Sequence, residues 1–103
     1  MFTHQNRHLT TLELKKEKCA WVYDSYSSLL YGEILQVFPK REIANEILVS
    51  SFLKIWNKLE QYDSSENLYT WALKITRKEI RMRKINAVLN ELFACQQKEG
   101  ILH

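Results

Sequence analysis

Turn-forming residues are scarce. The 103 residues include two glycines, Gly32 and Gly100, and one proline, Pro39. Sheets consume glycine, proline and asparagine at their turns, so an all-β fold is excluded. A glycine-rich phosphate loop is excluded for the same reason. Cysteine is equally sparse, with Cys19 and Cys95 far apart in sequence. A small secreted domain stapled by disulfides would carry more at closer spacing. Both read as reduced thiols that pack as small residues. No apolar run approaches the ~18 residues that a membrane helix needs. The opening MFTHQNRHLTTLELKK also lacks the apolar core of a signal peptide. The expectation is a cytosolic chain with no membrane contact. Its length suits a single domain.

What the chain does have is charge and helical periodicity. Charged residues make up 26% of the chain and hydrophobic ones 46%, too apolar for a disordered chain. The net charge of +3 is unevenly spread. Residues 74–84, KITRKEIRMRK, hold six basic residues against Glu79 alone, a local +5 that leaves −2 elsewhere. Such a local excess is expected of an anion-binding face.

The periodicity predicts a loose polar tail over 1–11 and a first helix over 12–38, with Val22, Tyr26, Leu29, Leu30 and Val37 at helical spacing. Phe38-Pro39 ends it, because a residue before proline disfavours helix. A second helix over 40–61 carries the stripe Ala44, Ile47, Leu48, Phe52, Ile55 and Leu59. Asp63-Ser64-Ser65 reads as a loop and helix cap. A third helix over 65–84 has Leu68, Trp71, Ala72, Ile75 and Met82 on one face, with Lys74, Arg77, Lys78, Arg81 and Lys84 on a separate stripe. Beyond Lys84 the pattern turns, since Ile85, Val88 and Leu92 fall where the basic stripe was. A C-terminal helix over 85–98 is expected: either the chain bends near Asn86, or the third helix continues and its last turns bury against a partner. The fold class is therefore all-α: three main helices plus a C-terminal one. Phe52, Ile55, Trp56, Trp71 and Ile75 are expected to dominate the core.

Catalytic patterns are weak. His4 and His8 are spaced i, i+4 but lack the third ligand a metal site needs. Neither cysteine has a base near it in sequence. Carboxylate pairs such as Glu13 with Glu17 and Glu42 with Glu46 sit among lysines and arginines, as on a solvated helix face. No enzyme activity, metal or cofactor is expected. The basic stripe is the best candidate site. It follows a short polar loop, with Tyr62, Asn67 and Tyr69 close by, so cations for phosphates lie beside groups suited to exposed bases. Trp71 lies on the core face and reads as packing.

The segment from Ser50 to Ile80 resembles region 2 of the sigma-70 family of RNA polymerase sigma factors, with the extracytoplasmic-function group closest. Phe52-Leu53-Lys54-Ile55-Trp56, Tyr62-Asp63 and Leu68-Tyr69-Thr70-Trp71 match in order and spacing, one loop residue short. Upstream, Tyr23-Asp24-Ser25-Tyr26 and Leu29-Leu30-Tyr31-Gly32 look like the family's first helix, and Arg41-Glu42-Ile43-Ala44-Asn45-Glu46 like the start of its second. The resemblance covers residues ~17–84.

The resemblance implies a sigma-like transcription-initiation domain with two surfaces. The second helix would dock on the clamp helices of the largest subunit of core RNA polymerase, through Glu46, Val49, Ser50 and Leu53. The loop and third helix would hold the non-template strand of the promoter −10 element, through Ser64, Ser65, Asn67, Lys74, Arg77, Lys78 and Arg81. Some positions depart from the pattern. The family usually has an acid, a glutamine and an acid at the positions of Glu46, Val49 and Ser50, and only the first is kept. Its loop glycine is missing, and its asparagine after the "IAR" run is Lys78. No region 4 is expected in the remaining residues. An alternative reading is a degenerate sigma-like module that binds a regulator, such as a separate region 4 or an anti-sigma polypeptide. A generic basic bundle without sequence preference is a further one.

Overall fold

The computed structural model describes the backbone of residues 10–102 and the side chains of residues 10–95. Three helices account for nearly all of it: α1 (Thr11–Val37), α2 (Arg41–Lys58) and α3 (Leu68–Leu102), with a short 3-10 turn at Leu59–Gln61 closing α2. Most of the tail expected over 1–11, including His4 and His8, lies outside the described residues.

Local chemistry sets the helix ends. Thr10 opens α1 with a reciprocal cap. Its Oγ1 accepts from the Glu13 N–H at 3.1 Å, and its own N–H donates to Glu13 Oε1 at 2.8 Å. The Thr10 N–H that donates to the carboxylate, and after it the Thr10 hydroxyl, favour the ionised form and hold Glu13 below its ordinary pKa. The first helix ends at Val37, where Phe38 still donates to the Ile34 carbonyl before Pro39 stops the chain. The third helix starts at Leu68 rather than 65, because the Asp63-Ser64-Ser65 segment is spent on a turn of its own.

The segment expected as a separate helix over 85–98 is instead the continuation of α3. Nothing between Lys84 and Gly100 interrupts a helix, and Ala87, Leu89, Glu91, Leu92 and Ala94 all favour one. At ~1.5 Å per residue, α3 reaches well past the bundle formed with α1 and α2.

The core is aliphatic. Val22, Leu30, Ile34, Ala44, Ile47, Ile55 and Ala72 are fully buried, joined by Leu59, Ile75 and Ile80. The aromatic residues expected at its centre lie at its margin. Phe52 packs its ring 5.0 Å from Tyr23, Trp71 stands 5.1 Å from Tyr62, and Trp56 is half-buried under the Lys15 ammonium at 4.5 Å. Met82, Leu29 and Val37 are exposed rather than buried.

The reason for the shift on α3 is chemical. Its buried face is Ala72, Ile75, Thr76, Glu79 and Ile80, two of them polar, so apolar periodicity alone points to the wrong arc. Thr76 Oγ1 donates to the Ala72 carbonyl at 3.0 Å, and Ser51 Oγ on α2 donates to the Ile47 carbonyl at 2.8 Å. Glu79 meets the Lys54 ammonium of α2 at 2.5 Å, without well-angled hydrogen bonds to its buried Oε1.

Truncation should separate the aliphatic centre from the aromatic margin. Ile55→Ala is expected to cost ~2–5 kcal/mol in urea unfolding, and Trp56→Ala less despite its larger side chain, because part of its ring stays in water. Equal losses, or a larger one for Trp56→Ala, contradict this account of the core.

Candidate functional site

Two surfaces emerge from this packing. The first runs along α2. Burying Ala44, Ile47, Ser51 and Ile55 turns Glu46, Val49, Ser50 and Leu53 to the opposite side, at helical spacing. The structure thus brings all four together on one stripe. Val49 is 60% exposed and Leu53 59%, high for apolar residues. Glu46 is anchored by Arg83 of α3 at 3.1 Å, so Arg83, which lies off the basic stripe, faces α2. Beside Val49 and Leu53, a mainly apolar cavity of about 320 Å³ opens between α1 and α2, walled by Cys19, Tyr23, Phe52 and Trp56. Its α1 wall went unmarked in the sequence, because i, i+4 spacing of Cys19 and Tyr23 shows only once α1 is laid against α2. Burial pushes the Cys19 thiol up, against the opposing effect of Lys15. Cys95, expected to pack, is exposed.

The second surface joins the 62–67 loop to α3. Tyr62 pins the loop by donating its hydroxyl to the Glu66 carbonyl at 2.6 Å. Asp63 Oδ1 accepts from the Ser65 N–H at 3.0 Å, and the Ser65 hydroxyl and N–H together hold its carboxyl below the usual range. Between them Ser64 takes a left-handed φ of 66°, a conformation that favours glycine. The cap of α3 is Asn67, not the Asp-Ser-Ser run. Its Oδ1 accepts from the N–H groups of Tyr69 at 2.8 Å and Thr70 at 3.3 Å. With that oxygen engaged, its amide NH₂ is the group left to meet a ligand. Tyr69 is packed on Tyr26, with ring centres 5.0 Å apart, so it is not a free stacking platform.

On α3 Lys74, Arg77, Lys78, Arg81 and Lys84 all face solvent, but their surroundings differ. Lys74 is held by Glu66 at 2.7 Å and Arg77 by Glu33 of α1 at 3.1 Å. Lys78, Arg81 and Lys84 have no ion pair among the described residues. Lys74 and Lys78 border a cleft of about 410 Å³ whose other wall is Lys54, Asn57 and Lys58 of α2, with Trp71 at its side. Lys54 and Lys58 were not singled out from the sequence. They lie well before the basic segment, and only packing of α2 on α3 brings them to it. The cleft gathers four ammonium groups around one indole wall, and its nearest acid, Glu79, is already paired with Lys54. That combination suits a phosphate-bearing ligand with a flat ring.

Among the described residues no group of three or more metal-ligating side chains occurs, and no helix is long and apolar enough to cross a membrane.

The dual role of Asn67 is testable. Asn67→Ala should lower stability by about 1 kcal/mol in thermal or urea unfolding, and Asn67→Ser or Asn67→Asp should restore most of it. An unchanged midpoint for Asn67→Ala contradicts the cap.

Comparison with known proteins gives one match. The family model of sigma-70 region 2 matches residues 22–86, more than half of the chain. No curated protein and no solved structure matches significantly.

Proposed function

We infer, since the chain belongs to the sigma-70 region 2 family, that it is a sigma-factor-like domain of transcription initiation, of the extracytoplasmic-function kind and cytoplasmic. In this reading it has no chemistry of its own. It binds core RNA polymerase and helps hold the −10 element of promoter DNA as a single strand. The observation that carries the reading is the family match over residues 22–86, which spans both surfaces.

Polymerase docking is assigned to the α2 stripe of Glu46, Val49, Ser50 and Leu53. With Val49 and Leu53 widely exposed beside an apolar cavity, the contact is mainly hydrophobic, with Glu46 at its edge. DNA is assigned to the loop residues Ser64, Ser65 and Asn67 and to Lys74, Arg77, Lys78 and Arg81, with Lys54 and Lys58 added from across the cleft. Support comes from the concentration of cations there and from the strained Ser64, since strain in a short loop often accompanies a binding role. Lysines and arginines supply phosphate contacts that position the strand, and the Asn67 amide donates to a base edge.

Two measurements test the two surfaces separately. In a pull-down with core polymerase, the parent chain is expected to be retained and Leu53→Asp lost, with helical circular dichroism unchanged because Leu53 is a surface residue. Retention of the variant places docking elsewhere, and failure of the parent to bind removes the polymerase reading.

Fluorescence anisotropy with a −10-like single strand and a scrambled one, across a salt series, tests the other surface. Each phosphate neutralised on a single strand contributes a slope of roughly −0.7. Lys78→Ala with Arg81→Ala should reduce the slope by about one to two units. Lys74→Ala with Arg77→Ala should reduce it less, because those cations start in ion pairs with Glu66 and Glu33. A slope that neither double variant changes leaves the basic face as solvated surface only.

A further inference from the structure

The C-terminal half of α3 presents an apolar face that nothing in the bundle covers. Met82, Ile85, Leu89 and Leu92 follow one another at steps of three, four and three, the spacing of a coiled-coil seam. Val88 and Phe93 flank it. All six are between 44% and 60% exposed. A face of this kind on a helix already formed is ready to pair, because little ordering remains to be done on binding.

We propose that this seam pairs with the same seam of a second copy, as an antiparallel two-helix coiled coil. The spacing is self-complementary in that direction: Met82 faces the partner's Leu92 and Ile85 faces the partner's Leu89, with the twofold axis near Ala87. Charge selects the direction as well. A parallel pair sets Lys78, Arg81 and Lys84 beside their own copies at the bundle end of the helix. An antiparallel pair separates those cations and brings Lys84 within a turn of the partner's Glu91. Area is sufficient. Six large apolar side chains about half exposed offer on the order of 500 Å² per copy, so a pair reaches the ~1,000 Å² that a specific interface requires. The two bundles then sit at opposite ends of the pair, and the α2 stripe of each remains free.

The test uses the full chain. Sedimentation equilibrium from low micromolar to near-millimolar concentration should show the mass rising from 12.3 kDa towards twice that value. Leu89→Asp and Leu92→Lys should each keep the chain monomeric throughout, with the thermal melt of the bundle preserved because both positions are exposed. The arrangement is read with a nitroxide on Cys95 in a Cys19→Ser background. Antiparallel pairing places the two Cys95 backbones roughly 25 Å apart, from the helical rise and an interaxial distance of 8–10 Å. A dimer with that spacing, lost in both variants, supports the proposal. A monomer at every concentration overturns it, as does a dimer that both variants leave intact. A Cys95 spacing near the ~10 Å interaxial distance overturns the antiparallel arrangement.

Discussion

The Lys54 ammonium meets the Glu79 carboxylate where α2 crosses α3, and the character of the surface around that point depends on it. Glu79 is almost fully buried, whereas Lys54 keeps about half its side chain in water. A buried carboxylate without a counter-charge is expensive, so the pair ties the two helices at a fixed rotation. That rotation decides what α3 shows. With Ala72, Ile75, Thr76, Glu79 and Ile80 turned inward, Lys74, Lys78 and Arg81 are directed outward, and Lys54 is drawn to the rim of their cleft. The acid that reads in the sequence as a blemish in a basic run thus pairs with Lys54 across the helices and leaves Lys78 and Arg81 without an acid of their own among the described residues.

The loop before α3 adds a second constraint. Tyr62, Asp63 and Asn67 each spend a polar group on the backbone nearby, so six residues hold a defined shape without glycine. Ser64 bears the cost of that shape in its left-handed φ. A loop fixed in this way has little freedom left to lose, so the strand binding proposed for it needs capture of bases rather than induced reshaping.

Much of this was legible in the sequence, and the misses share a cause. Helix existence followed from strong periodicity, with Pro39 marking the first boundary. The α2 stripe was also readable, because Ala44, Ile47 and Ile55 are apolar and their opposite face follows by geometry. The face of α3 was misjudged because Thr76 and Glu79 are buried polar groups, invisible to a hydrophobic count. The helix cap was misplaced because Asp63, Ser65 and Asn67 are all competent, and only the fold decides which one reaches the free N–H groups. Lys54 and Lys58 were missed since a cleft between two helices brings together residues that sequence keeps apart. Trp56 and Trp71 were placed too deep because size and apolarity favour burial, whereas a side chain as large as Trp is rarely buried completely and here the centre is taken by aliphatic residues.

The departures from the family pattern acquire a physical meaning once the surfaces are in place. Val49 and Ser50 stand where the resemblance places polar and acidic groups; Val49 enlarges an apolar surface already formed by Leu53 and its neighbouring cavity, and Ser50 removes a charge beside it. Polar contacts give direction and discrimination, whereas apolar ones give affinity that tolerates small changes of angle. In the proposed reading, Lys78 in place of an amide makes a similar exchange on the surface assigned to DNA, from base readout towards phosphate attraction. Both changes trade selectivity for general adhesion. The remaining source of base selectivity is then the loop, where the Asn67 amide is held in place by its own cap. The proposed function therefore places selectivity in the geometry of six loop residues more than in the chemistry of the helices that flank them.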